Sequence, residues 1–171
     1  EATYSLAGIG IQNAALCVGG NSPSAIDLTQ VFNGLIWSLG GTLNTAEVSL
    51  ASCGIQNSAL VFGGYAPIVE KYNGSIWTNA EMLNIERRSL AGCWIQNAAL
   101  SFGGTDGSNT GATEKYNGSV WTIVKPLNVI NSSLAGAGTQ SSALRIGGSS
   151  TNPITEKFFM KNKELVLDNI W

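Results

Sequence analysis

The chain has 171 residues, with 9 Lys plus Arg against 11 Asp plus Glu, a net charge of -2 and 12% charged residues. At roughly 100 to 200 residues per domain this gives one domain with a sizeable core, and the sparse, slightly acidic charge argues against a basic nucleic-acid groove. Histidine is absent, which excludes Ser-His-Asp and Cys-His nucleophile pairs, His-ligated metals and an imidazole pH switch.

Neutral polar residues take the place of charge: 18 Ser, 16 Asn, 12 Thr and 5 Gln stand beside 21 Gly, while 44% of the chain is hydrophobic. Low charge signals disorder only where apolar residues are also scarce, so the chain should fold. No apolar run approaches the ~18 residues of a membrane span, and no charged segment precedes an apolar one at the N-terminus. A soluble chain without membrane insertion is expected.

In chain order, the first elements belong to a segment that recurs. Ser-Leu-Ala-Gly-Ile-Gly-Ile-Gln-Asn from Ser5 to Asn13 returns in variant form from Ser49 to Asn57, Ser89 to Asn97 and Ser133 to Ser141, at offsets of 44, 40 and 44. A glycine pair follows 14 residues after each serine, at Gly19-Gly20, Gly63-Gly64, Gly103-Gly104 and Gly147-Gly148. Short runs of Ala, Leu, Ile, Val and Phe on either side of Gln56-Asn57 and Gln96-Asn97 predict one β-hairpin per unit. The glycines suit a backbone turn or close approach where the second strand leaves the sheet.

The second half of the unit carries Glu70 to Trp77 (Glu-Lys-Tyr-Asn-Gly-Ser-Ile-Trp) and Glu114 to Trp121, with Phe32 to Trp37 as a looser first copy. Asn73-Gly74 and Asn117-Gly118 predict a second hairpin through a two-residue type I′ turn. Each Trp precedes the next opening serine by 12 residues, so all length variation lies between the glycine pair and the Tyr or Phe. Four short strands per unit predict an all-β propeller of four four-stranded blades, with repeats of approximately 5–48, 49–88, 89–132 and 133–171 in a single domain, 1–171. A β-solenoid is the alternative, but its rungs are usually shorter than this unit. Four blades is the small end of the propeller range.

These motifs resemble the kelch repeat of β-propeller proteins across essentially the whole chain. They are similar, more closely, to Ala-Gly-rich kelch-like arrays with Asn-Gly-Ser-x-Trp hairpins in predicted structural proteins of marine tailed phages. Two features depart from the pattern: the Tyr-to-Trp interval is shorter than in the usual kelch unit, and the fourth copy reads Glu-Lys-Phe-Phe-Met-Lys-Asn-Lys-Glu-Leu from Glu156 to Leu165. Kelch-based copper-radical oxidases need histidine ligands, which are missing here. The resemblance implies a non-enzymatic structural or adhesive virion component, in a tail fibre, a tail-associated part or a capsid decoration. Its partners would be other virion proteins, with a host-surface glycan as a further one, in an oligomeric assembly. A virion, hence extracellular, location goes with this reading; a secreted or cell-surface lectin-like bacterial adhesion module is the rival, with a secreted or cell-surface location.

Residue roles follow from the repeat. Trp37, Trp77 and Trp121 are expected to fill the wedges between blades. Up-and-down blades place both tight hairpins at one end and both the variable loops and the links at the other, where recognition is most often built. Candidate recognition residues there are Asn21, Ser24, Tyr65, Arg87, Arg88, Asp106, Asn109 and Asn152. Glu86-Arg87-Arg88 could grip an anionic partner, though a solvated loop is the simpler reading. The recurring Glu70-Lys71, Glu114-Lys115 and Glu156-Lys157 read as a solvated outer edge that discourages sheet pairing, rather than as catalytic carboxylates. Cys17, Cys53 and Cys93 are odd in number and lack ligand spacing, so they read as small core residues; no cofactor or metal is expected. Trp94 replaces the glycine of Gly10, Gly54 and Gly138, and either plugs the central channel or forces local repacking. The start at a link position, without an initiator Met, suggests a fragment or processed segment. Phe158, Phe159 and Trp171 in the fourth copy suit a special closing contact.

Overall fold

A computed structural model describes residues 2–149, 154–161 and 164–170. The described residues are all-β with no helix, in four four-stranded antiparallel blades arranged as a four-bladed β-propeller. Blade 1 consists of β1 (Ala7–Ile11), β2 (Ala14–Val18), β3 (Thr29–Phe32) and β4 (Trp37–Leu39). Blade 2 consists of β5 (Leu50–Ile55), β6 (Ser58–Gly63), β7 (Ile68–Tyr72) and β8 (Trp77–Asn79). Blade 3 consists of β9 (Ala91–Ile95), β10 (Ala98–Phe102), β11 (Thr113–Tyr116) and β12 (Trp121–Val124). Blade 4 consists of β13 (Ala135–Thr139), β14 (Ser142–Ile146), β15 (Thr155–Lys161) and β16 (Glu164–Ile170).

Within each blade the strands pair in chain order, so the Gln-Asn and Asn-Gly hairpins fall at one end and the variable loops and links at the other. The four first strands surround an axial cavity of about 290 Å³, lined at each blade by the Leu-Ala-Gly or Leu-Ala-Ser step, as at Leu6, Leu50, Leu90 and Leu134. The second strands of the two middle blades, β6 and β10, are covered on both faces, which is why Ser58–Gly63 is nearly all apolar and buried rather than alternating. Their glycine pairs turn the chain outward: Gly63 and Gly64 have φ of 84° and 102°. A Cβ on Gly63 would lie 2.7 Å from the Arg87 carbonyl oxygen, so the link can cross there only over a glycine.

Blades join through three apolar clusters. Ile9, Leu16 and Val18 of blade 1 meet Tyr72 and Trp77 of blade 2. Leu60 and Phe62 of blade 2 meet Tyr116 and Trp121 of blade 3, and Leu100 and Phe102 of blade 3 meet Phe158 of blade 4. Trp77 and Trp121 fill their wedges, but Trp37 is 47% exposed and belongs to none of the three interblade clusters among the described residues, which corrects its expected burial. A glutamine in each later inner turn clasps the preceding blade. Gln96 Nε2 donates to the carbonyls of Ala59 (2.9 Å) and Tyr72 (2.7 Å), and Gln56 and Gln140 repeat the pattern. On the axis, the amides of Ser49, Ser89 and Ser133 donate to the carbonyls of Ser5, Ser49 and Ser89.

The outer hairpins differ from the type I′ expectation. In Asn73 to Trp77 only Gly74 has positive φ, and the Asn73 side chain accepts from the amides of Ser75 and Ile76, an Asx-type turn one residue further along.

Candidate recognition face

The loop end of the propeller rests on buried polar anchors that sequence reasoning assigned to the surface. Glu70, Glu114 and Glu156 are fully buried, not on a solvated rim. Each takes the amide of a link asparagine from the preceding blade, Asn44, Asn84 and Asn128 respectively. Those asparagines form a Leu-Asn step starting six residues after each Trp, and that recurrence was the available signal. A carboxylate with several N–H donors tolerates burial that a lone charge does not. Burial still pushes the Glu70 carboxyl above its ordinary range, against the opposing pull of the Asn44 and Thr45 amides.

Arg87 is likewise withdrawn from the recognition set, being 2% exposed. Its guanidinium bonds Glu114, the Ser101 hydroxyl (2.7 Å) and the Ile85 carbonyl (3.0 Å). Burial lowers its pKa, and Glu114 acts in the opposite sense. The same link position holds Glu47 after blade 1, whose carboxylate receives the Tyr65 and Ala66 amides at 2.9 and 2.6 Å and so fixes the blade 2 loop.

On this frame three of the expected residues converge. The Tyr65 ring is exposed and the Arg88 guanidinium lies 4.3 Å above it. Arg88 also pairs with Thr105 through both backbone groups, which brings the blade 3 loop and Asp106 alongside. Gly64, Tyr65, Glu86, Arg88, Thr105 and Asp106, with Arg87, line a depression of about 100 Å³. Asn109 is exposed on the same blade 3 loop. Asn21, half-buried, and Ser24, exposed, sit apart on the blade 1 loop, and Asn152 lies outside the described residues. A larger apolar depression of about 330 Å³, lined by Ala66, Pro67, Ile68 and Met82 among others, lies beside the blade 2 loop.

The hairpin end has the opposite character. Ile11, Ile55 and Ile95 end successive first strands and are 68%, 57% and 43% exposed. Leu35, Ile36, Ile76 and Val120 on the outer turns are also exposed. Trp94 belongs to this apolar end: it is 44% exposed and is not among the residues that line the axial cavity. Its φ is 84°, close to the 103° to 113° of Gly54, Gly138 and Gly10. A Cβ at Gly54 would lie 2.2 Å from the Ser58 carbonyl oxygen, so Trp94 occupies a backbone state that its neighbours reserve for glycine.

The arrangement offers stacking, hydrogen bonding and mixed weak charge beside one apolar depression at the loop end, and a set of exposed aliphatic side chains with Trp94 at the other. Cys53 and Cys93 are buried and Cys17 half-buried, all free, with burial pushing the thiols up, Cys93 to about 12. No group of three or more His, Cys, Asp or Glu side chains comes together among the described residues, and no helix of theirs is long and apolar enough to cross a membrane. Compared with known families and curated proteins, the chain matches no family model and no curated protein.

Proposed function

We propose that this propeller is a non-catalytic structural and adhesive module of the kelch type, built into the particle of a tailed phage. Its hairpin end docks on other virion proteins and its variable loops face outward. The observation that carries this reading is the contrast between the two ends. The hairpin end exposes Ile11, Ile55, Ile95 and Trp94, while the loop end presents polar groups on anchored loops. Exposed apolar side chains gathered at one end suit an interaction site, and loops on a rigid scaffold serve recognition. The virion assignment itself is drawn from the repeat resemblance described above.

At the loop end, the stacked Tyr65 and Arg88 beside Asp106 suit a neutral saccharide such as a host-surface glycan: an aromatic face for a sugar ring, with a donor and an acceptor for its hydroxyls. Mass spectrometry and antibody labelling of purified virions, with glycan-array binding of the isolated chain, test the reading. We expect the chain in the particle, and glycan binding lost in Tyr65→Ala. Absence from virions together with secretion from a bacterium would replace it with the cell-surface adhesion module, and steady substrate turnover would overturn both.

A further inference from the structure

The blade-to-blade interface occurs three times, yet both of its halves are also present uncovered. Blade 1 turns Phe32, Trp37 and half-buried Cys17 outward, at positions where blade 2 buries Tyr72, Trp77 and Val61. Blade 4 turns Leu144 and Ile146 outward, where blade 3 buries Leu100 and Phe102 at 0% exposure, and Ile146 is 41% exposed. The polar groups of the interface are spare as well. Gln12 is exposed, while Gln56, Gln96 and Gln140 each clasp two carbonyls of the preceding blade. Thr155 pairs with Ile146 as Thr29 pairs with Val18, and the Thr29 hydroxyl receives the Trp77 indole N–H at 2.9 Å. The same position is Val69 in blade 2 and Thr113 in blade 3, so the threonine of blade 4 offers an incoming indole N–H the acceptor that Thr29 offers Trp77.

We propose that a second copy of this chain covers these faces, head to tail: blade 4 of one copy receives blade 1 of the next in the register of the three internal interfaces. Trp37 then seats against Ile146 and donates to Thr155, and Gln12 bonds the carbonyls of Ala143 and Phe158, which are the equivalents of Ala59 and Tyr72. Continuity with an interface already formed three times selects a copy of the same repeat over an unrelated partner. The exposure of Trp37 within the folded chain favours a second copy over closure by its own blade 4. The contact is heterologous, using two different patches. It goes beyond the proposed function, whose docking surface is the hairpin end.

Sedimentation of the 171-residue chain over a micromolar concentration series tests it, with Trp37→Arg and Ile146→Arg as variants. Both positions are exposed, so each variant should keep the wild-type circular dichroism and thermal transition. We expect the wild type to associate as concentration rises, and either substitution to weaken this by about thirtyfold or more, as for a buried aromatic anchor. Mixing the two variants should restore association but stop at a one-to-one pair, because one intact seam remains. Alkylation of Cys17 should slow as the wild type associates. A wild type that stays monomeric overturns the proposal, whether Trp37 fluorescence is that of an exposed or a shielded indole. Association undiminished in both variants overturns it equally, and moves the contact to the hairpin end.

Discussion

Arg87 and Glu114 form an ion pair across the junction of blades 2 and 3 with both side chains fully withdrawn from solvent. The pair is coupled to three further donors, because Glu114 also accepts from the Asn84 amide and side chain and from the Ile85 amide. Removing one member of such a pair strands the other charge. Arg87→Ala should therefore cost about 3 to 5 kcal/mol, while Arg87→Ala with Glu114→Gln should cost less than the two single changes combined. Urea denaturation of the four proteins checks this. A single-mutant loss below about 1 kcal/mol would mean that Glu114 is not held by the arginine.

The tryptophans should separate by position. Trp77→Ala removes ~200 Å² of buried surface, about 5 kcal/mol at ~25 cal/mol/Å² before cavity and unfolded-state corrections. Trp37→Ala, at an exposed site, should cost under about 1 kcal/mol in the dilute monomer. Equal shifts in denaturation midpoint would contradict the burial difference.

The indole of Trp121 is buried with its N–H unbonded. Its counterpart Trp77 bonds Thr29, and Val69 stands at that position for Trp121. Val69→Thr should supply the missing acceptor and stabilise the protein by about 1 kcal/mol. Thermal unfolding of the variant decides it, with a lowered transition as the adverse result.

Trp94→Gly should release backbone strain of about 1 kcal/mol or more, since its φ of 84° lies where glycine is free and other residues are not. Part of the gain is offset by the added freedom of glycine in the unfolded chain. The same change removes apolar surface from the hairpin end. We expect a higher transition temperature together with weaker binding by whatever partner the proposed hairpin-end docking surface takes, and a lower transition temperature would show that the indole makes compensating contacts.

Thiol chemistry should follow burial. Cys53 and Cys93 occupy equivalent positions of the first strands β5 and β9, in successive apolar clusters, and burial raises both thiols, with the neighbouring Cys93 adding to the rise at Cys53. A raised folded-state pKa contributes stability that is complete below the ordinary value of 9.0 and is lost as pH climbs through about 12 for Cys93. The denaturation midpoint should accordingly fall across that alkaline window. At mildly alkaline pH, alkylation should mark Cys17 first and reach Cys53 and Cys93 only on unfolding; prompt labelling of Cys53 in the native protein would contradict this order.

Repeats made the blades legible. The serine openings, glycine pairs and Trp spacing located strands, hairpins and the separation of tight turns from variable loops. What escaped was the pairing between units. Glu70 and Arg87 are charged residues that solitary reading sends to solvent, and only a partner 26 or 27 residues away in sequence, Asn44 or Glu114, makes their burial tolerable. The glutamines of the inner turns were visible as a recurrent Gln-Asn, yet their carbonyl acceptors lie on another blade. Trp37 shows the converse: its motif matched the buried copies, but burial also requires a neighbouring blade, and none packs on it among the described residues. On the recognition face, exposure of Tyr65 was readable, and its stacking with Arg88 was not.

The serine-to-serine hydrogen bonds around the axis have a mechanical meaning. Because each first strand is tied to its predecessor by the same amide and the same apolar wedge, tension along the chain loads three similar joints in series. The weakest joint yields first, and the others hold until it has spun out its blade. One blade of 40 to 44 residues, pulled taut at ~3.5 Å per residue, adds about 140 to 150 Å of length. Under load the module should therefore lengthen in discrete steps, damping a sudden pull instead of failing at once.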